Sequence, residues 1–248
     1  MLQNLLDWIY PPCCVSCRTL IPLNAKEPRA MFLCNICQSL FDPIEGYICK
    51  ICSVPTENDV QCCVSCYGKT FFFTSNHSTF LYENLIQSLL LELKFKQKKQ
   101  IAHSLAKLWA KNLGNITFLP NSVFVPLPLH PKKEKERGFN QAKILAVELS
   151  QHTNIPLENA LLRTIDTPPQ SGLHPRERIE NVSGAFKVAK GIVTQGKNYI
   201  IIDDIYTTGS SLNECAKVLK QAGAENVSCM TLAVVVKKST DLKSTNIT

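Results

Sequence analysis

One thirteen-residue stretch, Tyr199 to Ser211, constrains the fold of this chain more than any other feature. It begins with an apolar run rich in isoleucine, continues with two adjacent acids, and ends in a loop of hydroxyl residues and glycine. Apolar runs of this kind are typical of parallel strands, which are covered on both faces. We expect the acids to end the strand and a helix to follow from about Ser210 to Gly223. The stretch therefore predicts an α/β fold.

The order of these elements also predicts a site for a phosphorylated sugar. The first N–H groups and the positive dipole end of a helix attract phosphate, and Gly209 allows the backbone to approach a ligand closely. The carboxylates of Asp203 and Asp204 can accept hydrogen bonds from two vicinal ribose hydroxyls. We expect both acids to lie at the mouth of the site. The alternative is a plain capping turn, with Thr208 or Ser210 as the helix N-cap.

The same stretch resembles the phosphoribosyl pyrophosphate (PRPP) signature of type I phosphoribosyltransferases. That pattern has four apolar residues, two acids, two variable positions, then TTG and Ser or Thr, and the match has no gap. The resemblance implies that the ribose lies on the acids and the 5-phosphate in the following loop, with Mg²⁺ bridging pyrophosphate and ribose oxygens. The implied PRPP-binding residues are Asp203, Asp204, Ile205, Tyr206, Thr207, Thr208, Gly209, Ser210 and Ser211.

Eight of the 12 cysteines form four C-x-x-C pairs. The pairs are Cys14/Cys17, Cys34/Cys37, Cys49/Cys52 and Cys63/Cys66. Sixteen residues separate the first two pairs and ten the next two, and these spacings predict two four-thiolate zinc sites. Sequential pairing gives two successive ribbons, although spacing also permits the first pair to join the third and the second the fourth. Cys13 and Cys62 are the expected spares, although Cys62 can replace Cys63.

Closed four-thiolate sites leave no open position for chemistry, so both zinc ions are expected to be structural. Cys215 and Cys229 are expected in the core, and a redox role for the C-x-x-C pairs is the alternative. The first twelve residues include an acid and no base, unlike a signal peptide. Twelve cysteines in a chain without a recognisable export signal indicate metal ligation in a reducing cytoplasm and not disulfides. We expect the protein there, free or peripheral to the inner membrane, because no apolar run is long enough to span a bilayer.

Composition predicts three regions: a double zinc-ribbon module at 1–68, an α/β body at 69–240, and a polar tail at 241–248. Residues 1–68 hold four Lys/Arg against six Asp/Glu, whereas residues 69–248 hold 23 against 14. A cationic surplus of this size suits a polyanionic partner or a multiply phosphorylated ligand, and it is also compatible with solubility alone.

Two amphipathic helices are predicted early in the body, from Glu83 to Phe95 and from Ile101 to Leu113. Lysines cluster between them, either at a solvated helix end or as an anion-binding patch. A short strand, Ser122 to Val125, comes next. A second basic segment with Lys132, Lys133, Lys135 and Arg137 follows it and leads into a helix that ends near Gln151.

Blocks along the chain resemble the ComF family, in the family's order. They are the zinc ribbons, V-P-L-P-L-H-P from Val125, R-G-F-N-Q-A from Arg137, Q-x-x-L and E-R-x-x-N-V-x-G-A-F from Gln170, and the PRPP signature. The resemblance spans Cys14 to about Val236. It implies a type I phosphoribosyltransferase-like body, a twisted parallel sheet flanked by helices. An open α/β sheet of this kind places its ligand at the carboxyl ends of the strands.

The resemblance also implies roles for two loops. The loop from Val125 to Leu129 would bind pyrophosphate, and the segment from Thr164 to Asn181 would be a mobile loop that closes over the site. Guanidinium groups match phosphate oxygens, although each arginine could equally serve solubility. The candidates for pyrophosphate or loop contacts are Pro126, Leu127, Arg137, Arg176 and Arg178.

The best understood ComF proteins act in natural competence and help incoming single-stranded DNA into the cytoplasm. The resemblance therefore implies PRPP, single-stranded DNA and other competence or DNA-processing proteins as partners. Trp109, Phe139 and Tyr206 are candidates for stacking on bases, although aromatic residues are more often core. Candidates for DNA contact are Lys94, Lys96, Lys98, Lys99, Lys132, Lys133 and Lys135. The alternatives are an active phosphoribosyltransferase on an unidentified base or amine, and an adaptor that senses nucleotide supply.

Overall fold

The computed structural model describes residues 13–21, 33–114, 116–167, 177 and 181–236. Its strands are β1 (Asn76–Leu81), β2 (Ser122–Pro126), β3 (Leu161–Arg163), β4 (Phe186–Val188), β5 (Asn198–Tyr206) and β6 (Asn226–Val234). A four-stranded sheet with the order β1-β6-β5-β2 forms the centre, and all its pairings are parallel. Strands β3 and β4 form a separate antiparallel pair. The α/β prediction is therefore confirmed.

Helices flank this sheet. They are α1 (Asn35–Gln38), α2 (Asn84–Phe95), α3 (Lys99–Lys111), α4 (Pro131–Arg137), α5 (Gln141–Thr153) and α6 (Ser210–Gln221). The predicted helices occur within about two residues of their expected bounds, and the second basic segment forms a helix of its own, α4. Asn140 caps α5, because its side chain accepts from the N–H groups of Ala142 and Lys143. No helix in the described part of the chain has both the length and the apolar character needed to cross a bilayer.

The prediction that the two acids end the strand is wrong. Strand β5 continues through them to Tyr206, which pairs with Val234 of β6. The strand continues because β6 runs equally far and offers backbone partners, and the N–H of Val235 still donates to the Tyr206 carbonyl at 3.0 Å. The loop between β5 and α6 is therefore only three residues long, 207–209.

Each face of the sheet has its own apolar core, because successive residues of a strand point to opposite faces. Ile200 and Ile202 of β5 pack with α2, α3 and α5, whereas Tyr199 and Ile201 pack with α6. The cysteines of the two ribbons also belong to different cores. Cys14 and Cys37 belong to the first core, and Cys49, Cys52 and Cys66 to the second.

The second ribbon is hydrogen-bonded to the edge strand β1. The N–H of Asn76 donates to the Ile51 carbonyl at 2.8 Å. The buried hydroxyl of Ser53 donates to the Asn76 carbonyl and accepts from the N–H of Ser78 at 3.0 Å. The ribbon therefore extends the body of the protein, and the predicted boundary at residue 68 stays a prediction.

Candidate functional site

The two acids of the signature lie near the carboxyl end of β5. Asp203 is half-buried, and its Oδ1 accepts from the N–H of Asp204 at 2.8 Å. Asp204 is only 3% exposed, and its Oδ2 lies 2.8 Å from Nζ of Lys94 at the end of α2. The expectation that both acids lie at the site mouth is therefore wrong for Asp204. Its charge can be buried because an ammonium group opposes it.

The environment drives the pKa values of these acids in opposite directions. Burial, reinforced by the charge of Asp204, raises the pKa of Asp203 well above its ordinary value. Burial would also raise the pKa of Asp204, but the charge and hydrogen bond of Lys94, with a further contribution from Arg137, hold it below its ordinary value. The pKa of Lys94 is raised, because the attraction of Asp204 outweighs burial. The site therefore contains one strong and one weak carboxylic acid.

The loop after β5 has the geometry of an anion-binding turn. Gly209 is the N-cap of α6 at φ 72°, where a Cβ would lie 2.5 Å from Oη of Tyr206, so only glycine fits without a shift. Being a glycine, this N-cap gives the helix no side-chain oxygen. The hydroxyls of Thr208 and Ser210 are 2.8 Å apart, and the N–H of Ser210 donates to Thr208 at a long 3.4 Å. Helix α6 therefore presents its first turn and two hydroxyls to this corner.

The loop after β2 lies beside the acids. The N–H of Leu127 donates to the carbonyl of Ile202 at 2.9 Å, and Nδ2 of Asn140 donates to the Leu127 carbonyl at 3.0 Å. Leu127 is therefore held at this corner, but its N–H already has a partner and is not available to pyrophosphate. Its neighbour Pro126 is buried.

Arg137 is the one pyrophosphate-candidate arginine among the described residues, since Arg176 and Arg178 lie outside them. Its Nη1 donates to Oε1 of Gln141 at 2.6 Å, and its charge reaches Asp204. Pro126, Leu127 and Arg137 therefore gather with the signature at one edge of the sheet.

The predicted DNA-contact lysines at the end of α2 and the start of α3 lie in three different environments. Lys94 turns toward Asp204. Lys96 and Lys98 both pair with Glu92, at 2.9 and 2.7 Å, and these hydrogen bonds, that of Lys98 first, lower the Glu92 pKa to about 2. Lys99 is exposed at the start of α3.

The second group lies on α4. Lys132 and Lys133 lie 3.5 and 3.7 Å from the carboxylate of Asp166, and Nζ of Lys133 also donates to the Thr167 carbonyl. Lys135 is exposed. These contacts hold the start of the predicted mobile loop, at Asp166 and Thr167, against α4. Residues 168–176 and 178–180 of that loop lie outside the described residues.

The three aromatic candidates for stacking on bases are buried, as the alternative of a core role predicted. Trp109 is fully buried, and its Nε1 donates to Oγ1 of Thr79 at 2.8 Å. Phe139 and Tyr206 are 8% and 4% exposed. All three therefore pack in the core.

Sequence reasoning missed Lys94 as the partner of Asp204 and missed Arg163 altogether. Arg163 ends β3, its Cζ lies 5.4 Å from the ring centroid of Phe186, and its buried Nε has no hydrogen-bond partner in the described chain. No local signal marks either residue, because Lys94 meets Asp204, and Arg163 comes within reach of the charge of Asp203, only through the fold.

The eight predicted cysteine ligands form two groups, Cys14, Cys17, Cys34, Cys37 and Cys49, Cys52, Cys63, Cys66. Within each group the Sγ atoms lie within 4.8 Å of one another. The distances Cys17–Cys34 and Cys52–Cys63, 3.6 and 3.7 Å between Sγ atoms, match the roughly 3.8 Å edge of a tetrahedron with Zn–S bonds of about 2.3 Å. Backbone N–H groups also donate to ligand sulfurs, as from Cys63 to Cys49 at 3.2 Å. The groups fit two structural zinc sites with sequential pairing.

The other cysteines lie outside both groups. Cys13 is exposed and Cys62 half-buried, in agreement with their expected role as spares. Cys215 and Cys229 are 0% and 1% exposed and belong to the core between the sheet and α6, as expected.

Comparison with known proteins gives two matching family models and several relatives. A phosphoribosyl transferase domain model matches residues 135–247, and a double zinc ribbon domain model matches residues 5–67. The chain is 30% identical to competence protein ComFC of Bacillus subtilis over 217 residues, which cover 82% of this chain and 88% of that protein. It is 29% identical to competence protein F of Haemophilus influenzae, with coverages of 89% and 96%. It is also 29% identical to the DNA utilization protein YhgH of Escherichia coli, with coverages of 79% and 87%.

Proposed function

The chain belongs to the ComF family, and from this premise we propose that it handles single-stranded DNA during natural transformation and binds PRPP in its phosphoribosyltransferase-like domain. The names of its relatives, which refer to competence and DNA utilization, support the first part. One observation carries the second part. Asp203 and Asp204 lie near the carboxyl end of β5, close to a three-residue turn with Gly209 that leads into the N-terminus of α6.

The geometry supports a specific arrangement of PRPP. Asp203, whose carboxylate has no cation of its own among the ion pairs of the described residues, would accept the ribose hydroxyls. Thr207, Thr208 and the first turn of α6 would hold the 5-phosphate. Lys94 and Arg137 would face the pyrophosphate, because both carry positive charge to the same corner. Mg²⁺ is expected to accompany PRPP and to neutralise part of the pyrophosphate charge.

The exposed lysines are the proposed contacts to DNA phosphates. Lys96, Lys99, Lys132 and Lys135 are exposed on α3, α4 and the end of α2. Side chains that pair with single carboxylates at the surface can exchange them for phosphates at little cost, because exposed ion pairs contribute little. We place the protein in the cytoplasm, where it could work free or at the inner membrane with other competence proteins.

Salt titration tests the DNA part directly. Binding to single-stranded DNA should weaken as log salt rises, with a slope of about −0.7 per neutralised phosphate. The triple variant K96A/K98A/K99A should make that slope shallower by about 0.7 for each phosphate that the protein no longer neutralises. K132A/K135A tests the segment on α4 in the same way. Slopes unchanged in both variants would remove these surfaces from the DNA interface, and no binding by the wild type would end this part of the proposal.

Turnover of PRPP is the second candidate function, and the intact acid pair together with two cations at the same corner favours it. In such a reaction the bond from C1′ to pyrophosphate breaks, a nitrogen of the acceptor bonds to C1′, and its proton leaves to solvent. Labelled PRPP, Mg²⁺ and a panel of bases and amines, with and without single-stranded DNA, would reveal it as released pyrophosphate.

A further inference from the structure

A cleft lies between the second ribbon and the loop after β5. Its volume is about 200 Å³. The ribbon side includes Val64 and Lys69, and the body side includes Tyr206, Thr207 and Val236. Phe71 also lines the cleft and belongs to the segment that joins the second ribbon to β1. The cleft therefore adjoins the residues proposed to hold the sugar phosphate.

Hydrogen bonds fix the walls of the cleft. The N–H of Val235 donates to the Tyr206 carbonyl at 3.0 Å, which ties together the ends of β5 and β6. Asn213 of α6 accepts from the N–H of Phe72 at 2.6 Å and donates to the Thr70 carbonyl at 3.1 Å. The joining segment is thus held against α6, and the cleft exists before a ligand enters.

The lining selects the class of ligand. Valines and Phe71 make most of the surface apolar, while Thr207 and Thr208 add hydroxyls on one side. Lys69 is the one Lys, Arg, Asp or Glu side chain among the described lining residues, but Cys52, Cys63 and Cys66 of the second sulfur group line the cleft as well. With zinc bound, the four thiolates of this group carry a net negative charge, which disfavours an anionic ring. The mostly apolar lining favours an uncharged ring over any ion, because burying a charge without a close partner is costly. Pockets for drug-sized ligands measure roughly 300–1,000 Å³, so this smaller cleft suits one small ring system.

Apolar side chains exposed at the mouth of the cleft also favour a ring-shaped ligand. Val64 is 82% exposed and Val236 is 45% exposed, although both belong to the lining of the cleft. Tyr67, in the same ribbon turn as Val64, is 81% exposed. Apolar and aromatic side chains beside a lysine are the usual surface for stacking a nucleobase while its phosphate meets a cation.

We propose that this cleft binds a nucleobase, either a free base or a base unstacked from single-stranded DNA. The proposal rests on the proposed function, because the loop that would hold PRPP forms one wall. A base in the cleft would lie beside the loop proposed to hold the 5-phosphate of PRPP. The second ribbon then has a role in ligand binding in addition to its role in folding.

Two variants obstruct the cleft from opposite walls, V64E on the ribbon and V236E after β6. V193E is the matched control, since Val193 is 66% exposed and lies outside the lining. Anisotropy with labelled oligothymidylate and with an abasic oligonucleotide of equal length gives the ratio of the two affinities. That ratio isolates the base contribution from phosphate contacts. Zinc content and melting temperature show that the variants are folded, and two independent variants guard against a local defect in one.

We expect the ratio to fall at least about fivefold in V64E and V236E and to stay unchanged in V193E. If the ligand is a free base, calorimetry with a nucleobase panel in the presence of PRPP will show binding by the wild type and by V193E. The two cleft variants, V64E and V236E, will show no such binding. A wild-type protein that binds DNA and PRPP, but whose ratio and base affinity survive both substitutions, would overturn the cleft alone. A wild-type protein that binds neither the bases of the oligonucleotide nor free bases would overturn it as well. Absence of PRPP binding would instead contradict the proposed function.

Discussion

Nζ of Lys94 lies 2.8 Å from Oδ2 of Asp204, and this ion pair joins the end of α2 to the end of β5. The side chain of Asp204 is 4% exposed and that of Lys94 27% exposed. The charge of Asp204 is thus tolerated in the interior because the lysine compensates it. The same lysine brings a cation to the edge of the sheet where the signature predicts a phosphorylated ligand.

Lys94→Met should therefore destabilise the protein. Removing one partner of a buried pair costs about 3–5 kcal/mol, and partial exposure of Lys94 reduces the expected loss to about 1–3 kcal/mol. The control is Lys96→Met, whose exposed pair with Glu92 should be worth less than about 1 kcal/mol. Urea unfolding measures both free energies. Equal effects of the two substitutions would mean that Asp204 does not depend on Lys94.

Gly209→Ala should cost more stability than Gly138→Ala. Both glycines adopt a positive φ, 72° and 79°, so both substitutions carry the strain of the left-handed region. Only at position 209 does the new Cβ meet an atom, Oη of Tyr206 at 2.5 Å, whereas nothing lies within 4 Å at position 138. The difference between the two melting temperatures isolates the clash. We also expect Gly209→Ala to weaken PRPP binding, and equal melting temperatures would show that Tyr206 moves aside freely.

Elemental analysis should find two zinc ions per chain, because the two groups of sulfurs are separate. Cys14→Ser should lose one zinc and Cys49→Ser the other, and each single variant should retain the remaining ion. The double variant Cys14→Ser/Cys49→Ser should hold no zinc, because the two residues belong to different groups. Interleaved pairs would place both residues in one site and leave this double variant one zinc ion. Chelation should unfold both ribbons, since metal binding contributes to their folding.

PRPP binding should release a proton, because the raised pKa of Asp203 keeps its carboxyl protonated to a higher pH than usual. Two ribose hydroxyls donate best to the ionised form, so the free protein binds more protons at this group than the complex. By linkage, the affinity for PRPP should rise as pH rises through the raised pKa of Asp203. Calorimetry in two buffers of different ionisation enthalpy counts the proton. An affinity that falls as pH rises through this range would contradict the assignment of Asp203.

Local sequence was sufficient for several features of the site. The apolar run predicted β5, and Gly209 marked the turn, because a strand and a left-handed turn depend on neighbouring residues. The spacing of the cysteines also predicted the two sulfur groups. The end of β5 was missed, since it depends on how far β6 extends beside it.

Features that depend on contacts between distant parts of the chain could not be predicted from the sequence. Lys94 and Asp204 are far apart in the chain, and the charge of a lysine beside a helix end gives no indication that it turns inward. The second ribbon resembled an independent module, yet its Cys52 and Cys66 share a core with Tyr206. Packing across two faces of a sheet leaves no local pattern, so the cleft was not predictable either.

The most direct test of the central claim is the affinity of Asp203→Asn for PRPP. This substitution is better than one at Asp204, which would leave Lys94 without its partner. A hydrogen bond to a charged group is worth about 1.5–3 kcal/mol, so removing the charge of Asp203 should weaken binding at least about tenfold. Calorimetry with Mg²⁺ and PRPP on the wild type and on Asp203→Asn, both with unchanged zinc content, measures this loss. Equal affinities would contradict the account and leave the signature as a capping turn.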